Sequence, residues 1–229
     1  MRMKNPELII YGGAFDPPHR GHVDCVEGVR AAFPSSLIMV IPGLKPAGAG
    51  GFHKDPCLNF DIRFELCRLA FLVDFGHANL EISSVETSLP VPNFTINTIE
   101  RIHDLYPLRS LGIVMGLDQF GSFAVWHRPK DIIGRSHLIL VRRGTDEGLK
   151  HAVDVQMAKL GYKVRWTSPK MAEIEGMPFG IYIIDIHTSL ASSTKIRDYL
   201  SKNEKVPEGW LSPSVEQYIR MNGLYLKKG

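Results

Sequence analysis

The chain has 229 residues, of which 44% are hydrophobic and 22% are charged, and its formal net charge is +3. This balance is typical of one globular domain with its own core, and it excludes a chain that is disordered throughout. The apolar stretches, such as Leu37–Ile41, are too short to cross a bilayer, and so mild a positive charge favours small anionic ligands over nucleic acid.

Short apolar runs alternate with segments of helical periodicity along the chain. The predicted strands are Leu8–Tyr11, Leu37–Ile41, Asn79–Ile82, Leu111–Met115, His137–Val141, Lys163–Trp166 and Ile181–Ile186. The predicted helices are Gly21–Ala32, Asp61–Phe75, Thr95–Tyr106, one capped by Ser192 that runs to about Leu200, and one from Ser212-Pro213 to Gly223. This alternation predicts an α/β fold with a doubly wound parallel sheet.

We expect a single domain over residues 1–229, in which residues 190–229 form a small C-terminal helical subdomain. The stretch Pro42–Pro56 is rich in Gly and Pro and predicts a loop rather than a domain linker; whether it closes over a substrate is left open. Ligands of such sheets bind beyond the carboxyl ends of the strands. The loops that follow the predicted strands should therefore meet at one mouth.

The cysteines and the start of the chain indicate the cellular setting. Cys25, Cys57 and Cys67 are odd in number and form no CxxC pair, so they predict neither a disulfide framework nor a cysteine zinc site. No basic start precedes a long apolar run, which argues against a signal peptide. We therefore expect reduced thiols in a cytoplasmic protein without a membrane partner, and the sequence leaves open whether it forms a homo-oligomer.

The sharpest feature is the run GGAFDPPHRGH, from Gly12 to His22, which follows a predicted strand and opens a predicted helix. Gly12 and Gly13 let the backbone turn and approach a ligand closely, and Gly21 removes a side chain where a phosphate would lie. His19 and His22 point the same way at a helix start, whose free N–H groups favour anions. The run predicts a polyphosphate cradle, although a histidine pair alone is more often surface decoration and can also bind a metal.

A second anion-binding pattern, SSTKIR, extends from Ser192 to Arg197. Hydroxyls and backbone N–H groups lie there at a helix start, and Arg197 can reach phosphate oxygens. Standing alone, the same residues would fit an ordinary serine cap followed by a solvated arginine.

Together these runs resemble the HxGH and SSTxIR motifs of one enzyme family. Phe94–Ile99 resembles the family's SYTxxTL segment, and Gly116-Leu117-Asp118 with Trp126 resembles its GxD…W segment. His53-Lys54 resembles its PPHK loop, and Leu211–Tyr225 resembles the C-terminal ending of the family. The sequence departs from the pattern at Ala14, at Phe94 and at Gly51-Phe52, where Thr, Tyr and two prolines are usual. It is identified as a member of the bacterial-type nicotinate mononucleotide adenylyltransferases, within the HxGH nucleotidyltransferase superfamily.

The resemblance implies a Rossmann-like nucleotidyltransferase fold and the transfer of an adenylyl group from ATP to nicotinic acid mononucleotide in NAD biosynthesis. It implies Mg²⁺ carried on the substrate phosphates, without a protein-held metal. The implied catalytic residues are His19, His22, Lys54 and Arg197. The implied ATP-binding residues are Gly12, Gly13, Phe15, Gly21, Gly116, Asp118, Ser192, Ser193 and Thr194. The implied mononucleotide-binding residues are Ala14, Thr95 and Trp126.

Three alternatives stay open at this point. The same chemistry could act on nicotinamide mononucleotide or on another phosphate acceptor, or the chain could sense a nucleotide without turnover. Intact His19, His22 and Arg197 argue against a sensor, because a sensor need not keep transition-state contacts. Arg142 and Arg143 end a predicted strand near the mouth, where either could touch phosphate or be solvated.

Overall fold

The computed structural model describes residues 4–46, 56–74, 76, 79–143, 148–186 and 189–226. The strands of this part of the chain are β1 Leu8–Gly13, β2 Leu37–Pro42, β3 Leu80–Ile82, β4 Leu111–Gly116, β5 His137–Arg143, β6 Val164–Ser168, β7 Met171–Ile174 and β8 Gly180–Ile186. They form one sheet in the order β3-β2-β1-β4-β5-β8-β7-β6. Neighbours from β3 to β8 in this order are parallel, and β7 and β6 add an antiparallel edge.

Helices connect the strands. They are α1 Arg20–Ala32, α2 Phe60–Arg68, α3 Thr95–Leu105, α4 Leu117–Phe120, α5 Pro129–Ile133, α6 Leu149–Lys159, α7 Ser193–Ser201 and α8 Pro213–Met221. A π-helical turn, Leu69–Val73, continues α2, and short 3₁₀ turns lie at Val85–Ser88 and Phe123–Val125. No helix within the described ranges has the length and apolar character that crossing a bilayer requires.

The two faces of the sheet bury separate hydrophobic clusters. Ile9 belongs to one cluster, whereas its neighbours Leu8 and Ile10 belong to the other, because successive side chains of a strand point to opposite faces. Buried residues of the C-terminal helices, including Ile196 and Ile219, share the cluster of Ile9. The doubly wound parallel sheet predicted from the sequence is confirmed, with apolar layers on both faces.

Strand pairing opens a crevice at the centre of this sheet. β1 pairs with β2 along its whole length, from Leu8 to Gly13. It pairs with β4 only from Leu8 to Ile10, while β4 continues beside β5 as far as Gly116. The strand order reverses between β1 and β4, and at such a point the loops diverge and leave room for a ligand.

The sequence did not predict α6 or β7. α6 buries Leu149, Val153 and Met157, but polar residues interrupt this apolar stripe. β7 is only four residues long, which is too short for a clear alternation. The long helix predicted over Asp61–Phe75 is present as α2 and its π-helical turn.

His137 gives a test of the buried sheet. Its side chain is buried, and its Nδ1 accepts the N–H of Gly180 over 3.0 Å. Burial lowers the pKa of His137 to about 4, so the unfolded chain binds the extra proton first as pH falls below 6.5. His137→Asn, whose amide oxygen can still accept the N–H, should therefore lose less free energy of unfolding than the wild type between pH 6.5 and pH 4.

Urea unfolding at several pH values measures these slopes. His151 on α6 is exposed, so His151→Asn is the matched control and should keep the wild-type slope. Equal slopes for His137→Asn and the wild type would contradict the assignment to His137.

Candidate active site

The loop between β1 and α1 holds two histidines against the start of α1. His19 is the N-cap residue and is only 6% exposed. Its ring stacks on that of His22, with centroids 3.8 Å apart. The Nδ1 of His22 accepts the backbone N–H of His19 over 3.1 Å. In neutral His22 the proton is therefore on Nε2, the nitrogen that can donate to an anion.

Glycines shape the surroundings of these rings. A Cβ on Gly21 would lie 3.2 Å from the Cε1 of His19. The space beside Gly21, which sequence reasoning assigned to a phosphate, thus holds the imidazole of His19. A Cβ on Gly12 would meet nothing within 4 Å, and Gly12 is exposed. Gly12 therefore leaves the backbone at the end of β1 open to close approach by a ligand.

Phe15 packs against His22 from the hydrophobic core. It has a positive φ of 47° and is 2% exposed. Its ring packs edge-on against His22 at 5.0 Å, Tyr11 at 5.4 Å and Phe71 at 5.9 Å. The side chain belongs to the core, so only the backbone of Phe15 can contact a substrate.

The second motif begins α7 and touches the first. Ser192 caps this helix, and its Oγ accepts the N–H of Lys195 over 3.3 Å. Ser193 donates its hydroxyl proton to the carbonyl of Pro17 over 2.9 Å. The N-terminus of α7, an end that favours anions, is therefore bonded to the loop that leads into α1.

Arg197 makes the other link between the motifs. Its Nη1 donates to the backbone carbonyl of Asp16 over 2.6 Å, and its Nη2 donates to the Oγ1 of Thr194 over 3.3 Å. A half-buried guanidinium with two such partners is held in one orientation. The motifs that the sequence placed 170 or more residues apart are thus adjacent in space.

Sequence reasoning missed Arg63, which joins the loops after β1 and β2. The side chain is 1% exposed. Its guanidinium donates to the carbonyls of Ala14 over 2.7 Å, Gly43 over 2.6 Å and Leu58 over 3.1 Å. Desolvation lowers the pKa of Arg63, yet arginine stays charged. The sequence shows only an arginine next to Ile62 on a predicted helix, and neither its burial nor its partners could be predicted from that.

A buried polar cluster fixes the loop after β2 near the start of α3. The Oδ1 of Asn93 accepts the N–H of Lys45 over 2.8 Å, and the N–H of Asn93 donates to the carbonyl of Lys45 over 3.0 Å. Glu86 accepts the hydroxyl proton of Thr98 over 2.8 Å. Burial raises the pKa of Glu86 to about 7, so its charge changes near neutral pH.

Gly116 and Asp118 lie on the far side of the crevice. Gly116 is the N-cap residue of α4 at the end of β4, and a Cβ there would clash with the Oδ1 of Asp118. Asp118 itself is exposed. A larger residue at 116 would therefore displace this carboxylate from its position beside the strand end.

The residues expected to contact the mononucleotide base lie on neighbouring segments. Thr95 begins α3 and is half-buried, as is Trp126. The ring of Phe94 stacks on that of His127 with centroids 4.2 Å apart. Because Phe94 precedes Thr95 and His127 follows Trp126, this contact holds the two segments together. Trp126 packs against Phe123 at 5.5 Å, so the core fixes the tilt of the indole.

Lys54, Arg142 and Arg143 are the other basic residues for which the sequence suggested a phosphate contact. Lys54 lies outside the described residues, as does most of the predicted loop Pro42–Pro56. Arg142 forms an ion pair with Asp185 on the neighbouring strand β8, over 2.5 Å, and this pairing lowers the pKa of Asp185. The side chain of Arg143 is likewise outside the described part of the chain.

Comparison with known proteins agrees with this geometry. The model of the cytidylyltransferase-like family matches residues 10–199. A probable nicotinate-nucleotide adenylyltransferase of Dechloromonas aromatica is 30% identical over 227 residues, which is 95% of this chain and 97% of the relative. One of Acidithiobacillus ferrooxidans is 29% identical over 226 residues, at 96% and 95% coverage. The chain belongs to the nicotinate-nucleotide adenylyltransferase family.

The fold agrees with that of a solved relative. The structure of Plasmodium falciparum nicotinic acid mononucleotide adenylyltransferase complexed with APC has a TM-score of 0.68 at 16% identity and covers 96% of this chain and 98% of that one. The family and the nucleotidyltransferase fold predicted from the motifs are confirmed. Nucleotidyltransferases generally depend on a divalent metal; among the described residues, no cluster of three or more His, Cys, Asp or Glu could hold one.

Arg63 is the first side chain of the site to test. Arg63→Met should leave several buried carbonyls without donors and lower the free energy of unfolding by about 3–5 kcal/mol. Urea unfolding gives this value. Arg68→Met is the matched control, because Arg68 lies on the same helix but is exposed and paired with Glu65. The control should keep the wild-type urea midpoint; equal losses in both variants would contradict the role assigned to Arg63.

Proposed function

We propose that this chain transfers the adenylyl group of ATP to nicotinic acid mononucleotide, forming deamido-NAD and pyrophosphate in NAD biosynthesis. The observation that carries the proposal is the hydrogen bond from Arg197 to the carbonyl of Asp16. It joins the SSTxIR motif to the loop that presents His19 and His22. Membership of the adenylyltransferase family supports the same reaction.

The reaction needs positioning and charge neutralisation more than proton transfer. A phosphate oxygen of the mononucleotide attacks the α-phosphorus of ATP, and pyrophosphate leaves. The attacking phosphate is already an anion near neutral pH, so a strong general base is not required. Two helix N-termini, two imidazoles and one guanidinium supply the donors that developing negative charge needs.

The described contacts refine the role of each donor. His22 would donate from Nε2, since its Nδ1 accepts a backbone N–H. Ser193 has committed its hydroxyl proton to Pro17, so it would meet a phosphate through its backbone N–H. Arg197, with Ser192 and Thr194 beside it, would hold the β- and γ-phosphates. Mg²⁺ would arrive on the ATP phosphates as part of the substrate.

The crevice between β1 and β4 would hold the rest of both substrates. Gly12 and Gly13 offer backbone where the mononucleotide phosphate meets ATP. Asp118 would accept hydrogen bonds from ribose hydroxyls of the adenosine. Trp126 would stack on the pyridine ring, and the backbone N–H of Thr95 would contact the carboxylate. Lys54 stays a proposed phosphate contact from the loop after β2.

The remaining interpretations are also proposals. We propose one domain over residues 1–229 with a helical subdomain at residues 190–229, working in the cytoplasm on small-molecule substrates. Nicotinamide mononucleotide is the alternative acceptor, because neutral donors such as a backbone N–H can bind either a carboxylate or an amide. A non-catalytic sensor would bind ATP without releasing pyrophosphate.

Pyrophosphate release from ATP and Mg²⁺ tests the function directly, with nicotinic acid mononucleotide and nicotinamide mononucleotide in parallel. We expect faster release with the nicotinate form. Release with the nicotinamide form alone would keep the chemistry and change the acceptor. Binding of ATP without release for either mononucleotide would contradict the proposed reaction and would leave another phosphate acceptor or a non-catalytic sensor.

His22→Asn tests the donor assigned to the phosphates. The amide oxygen of Asn can still accept the N–H of His19, so the start of α1 should be kept while the Nε2 donor is lost. We expect kcat to fall by about 10²–10³-fold, as for other preorganised donors. His151→Ala, at an exposed position of α6, should keep wild-type kcat. Near-normal turnover by His22→Asn would remove His22 from the mechanism.

A further inference from the structure

Asp16 is a buried carboxylate in the loop that carries the histidines, and it is only 3% exposed. A buried charge is tolerated only when hydrogen bonds compensate its lost hydration. Its Oδ2 accepts the backbone N–H of Cys57 over 2.6 Å, and its Oδ1 accepts the hydroxyl proton of Tyr225 over 2.7 Å. Asp16 thus ties the β1–α1 loop to two distant segments at once.

Tyr225 reaches this carboxylate from beyond the end of α8. Gly223 has a φ of 57° and Tyr225 a φ of 66°, so two left-handed residues turn the chain back towards the loop. The N–H of Leu224 donates to the carbonyl of Ile219 over 3.0 Å and closes this turn. A positive φ is uncommon for a residue other than glycine. Tyr225 has this conformation in the same place where its hydroxyl donates to Asp16.

The hydroxyl of Tyr225 stays a donor at every working pH. Burial, followed by the negative charge of Asp16, raises the pKa of Tyr225 well above its usual range. Loss of the phenolic proton would place two negative charges side by side away from water. The bond is therefore a permanent restraint rather than a pH switch.

The same loop segment receives the donors of the second motif. Arg197 donates to the carbonyl of Asp16 and Ser193 to that of Pro17, while Tyr225 holds the side chain of Asp16. We propose, on the basis of the proposed function, that Tyr225 is a positioning residue for adenylyl transfer. It acts through Asp16 to fix the positions of His19 and Arg197 relative to each other. Its hydroxyl donates to Asp16, so the role proposed for Tyr225 is exerted through that residue and not on a substrate.

Tyr225→Phe removes one hydroxyl and keeps the ring. We expect kcat for pyrophosphate release to fall about tenfold, because a loosened loop misplaces groups that act on the transition state. KM for ATP and for nicotinic acid mononucleotide should change less than threefold. Tyr218→Phe is the matched control, since Tyr218 lies on α8 and its hydroxyl has no hydrogen bond to the described residues. Wild-type kcat in Tyr225→Phe would overturn the proposal.

A double-mutant cycle separates positioning from stability. Asp16→Ala removes both carboxylate oxygens and with them the Oδ1 that accepts the hydroxyl proton of Tyr225. Because the two residues act through one bond, Tyr225→Phe should lower kcat less than threefold in the Asp16→Ala background. A full tenfold effect in that background would contradict action through Asp16. A lower Tm with unchanged kcat in Tyr225→Phe would assign Tyr225 a structural role only.

Amide hydrogen exchange tests the restraint without any substrate. The peptide spanning residues 12–22 should exchange at least threefold faster in Tyr225→Phe than in Tyr218→Phe. Equal exchange would overturn the proposal even if the enzyme is active. A wild-type chain that releases no pyrophosphate would overturn the proposed function, and the exchange experiment would still decide whether Tyr225 restrains the loop.

Discussion

The site depends on hydrogen-bond donors for the backbone carbonyls of the loop that follows β1. In the described part of the chain, this loop has no neighbouring strand or helix whose N–H groups could pair with those carbonyls. Buried carbonyl groups must find donors, and in this loop the donors are side chains. Arg63 serves Ala14, Arg197 serves Asp16 and Ser193 serves Pro17. These donors come from two distant places in the sequence, α2 and the first turns of α7, so the loop takes its shape from the surrounding fold rather than from its own residues.

Side chains that hydrogen-bond to this loop also carry donors that could bind a substrate. The guanidinium of Arg197 has donors enough for the carbonyl of Asp16, for Thr194 and for a phosphate. His22 uses one ring nitrogen to complete the start of α1 and keeps its proton on the other. In the proposed reaction, opposite sides of the same side chains would support the loop and bind the substrate. A substitution that removes both functions of such a side chain would change the loop and its chemistry together, whereas His22→Asn keeps the acceptor of the backbone N–H and removes only the Nε2 donor.

The sequence predicted those parts of the structure that local patterns determine. The apolar runs located the central parallel strands, and the HxGH and SSTxIR runs located two helix starts whose contact the structure then supplies. Arg63 could not be assigned, because its bond to Ala14 spans 49 residues and depends on the tertiary arrangement. Phe15 was expected at the substrate, but its ring fills the core below His22, which no pattern of neighbouring residues indicates. Short or weakly patterned elements such as β7 were missed for lack of signal.

The bond between Asp16 and Tyr225 has a consequence for the making of the protein. It joins positions 209 residues apart, so the loop near residue 16 is synthesised long before its partner. Closing a loop of this length carries a cost in chain entropy. β1 also needs β4, and the start of α1 also receives a hydrogen-bond acceptor from Trp210. The complete geometry of the site therefore cannot form on a growing chain before residue 225 has been synthesised.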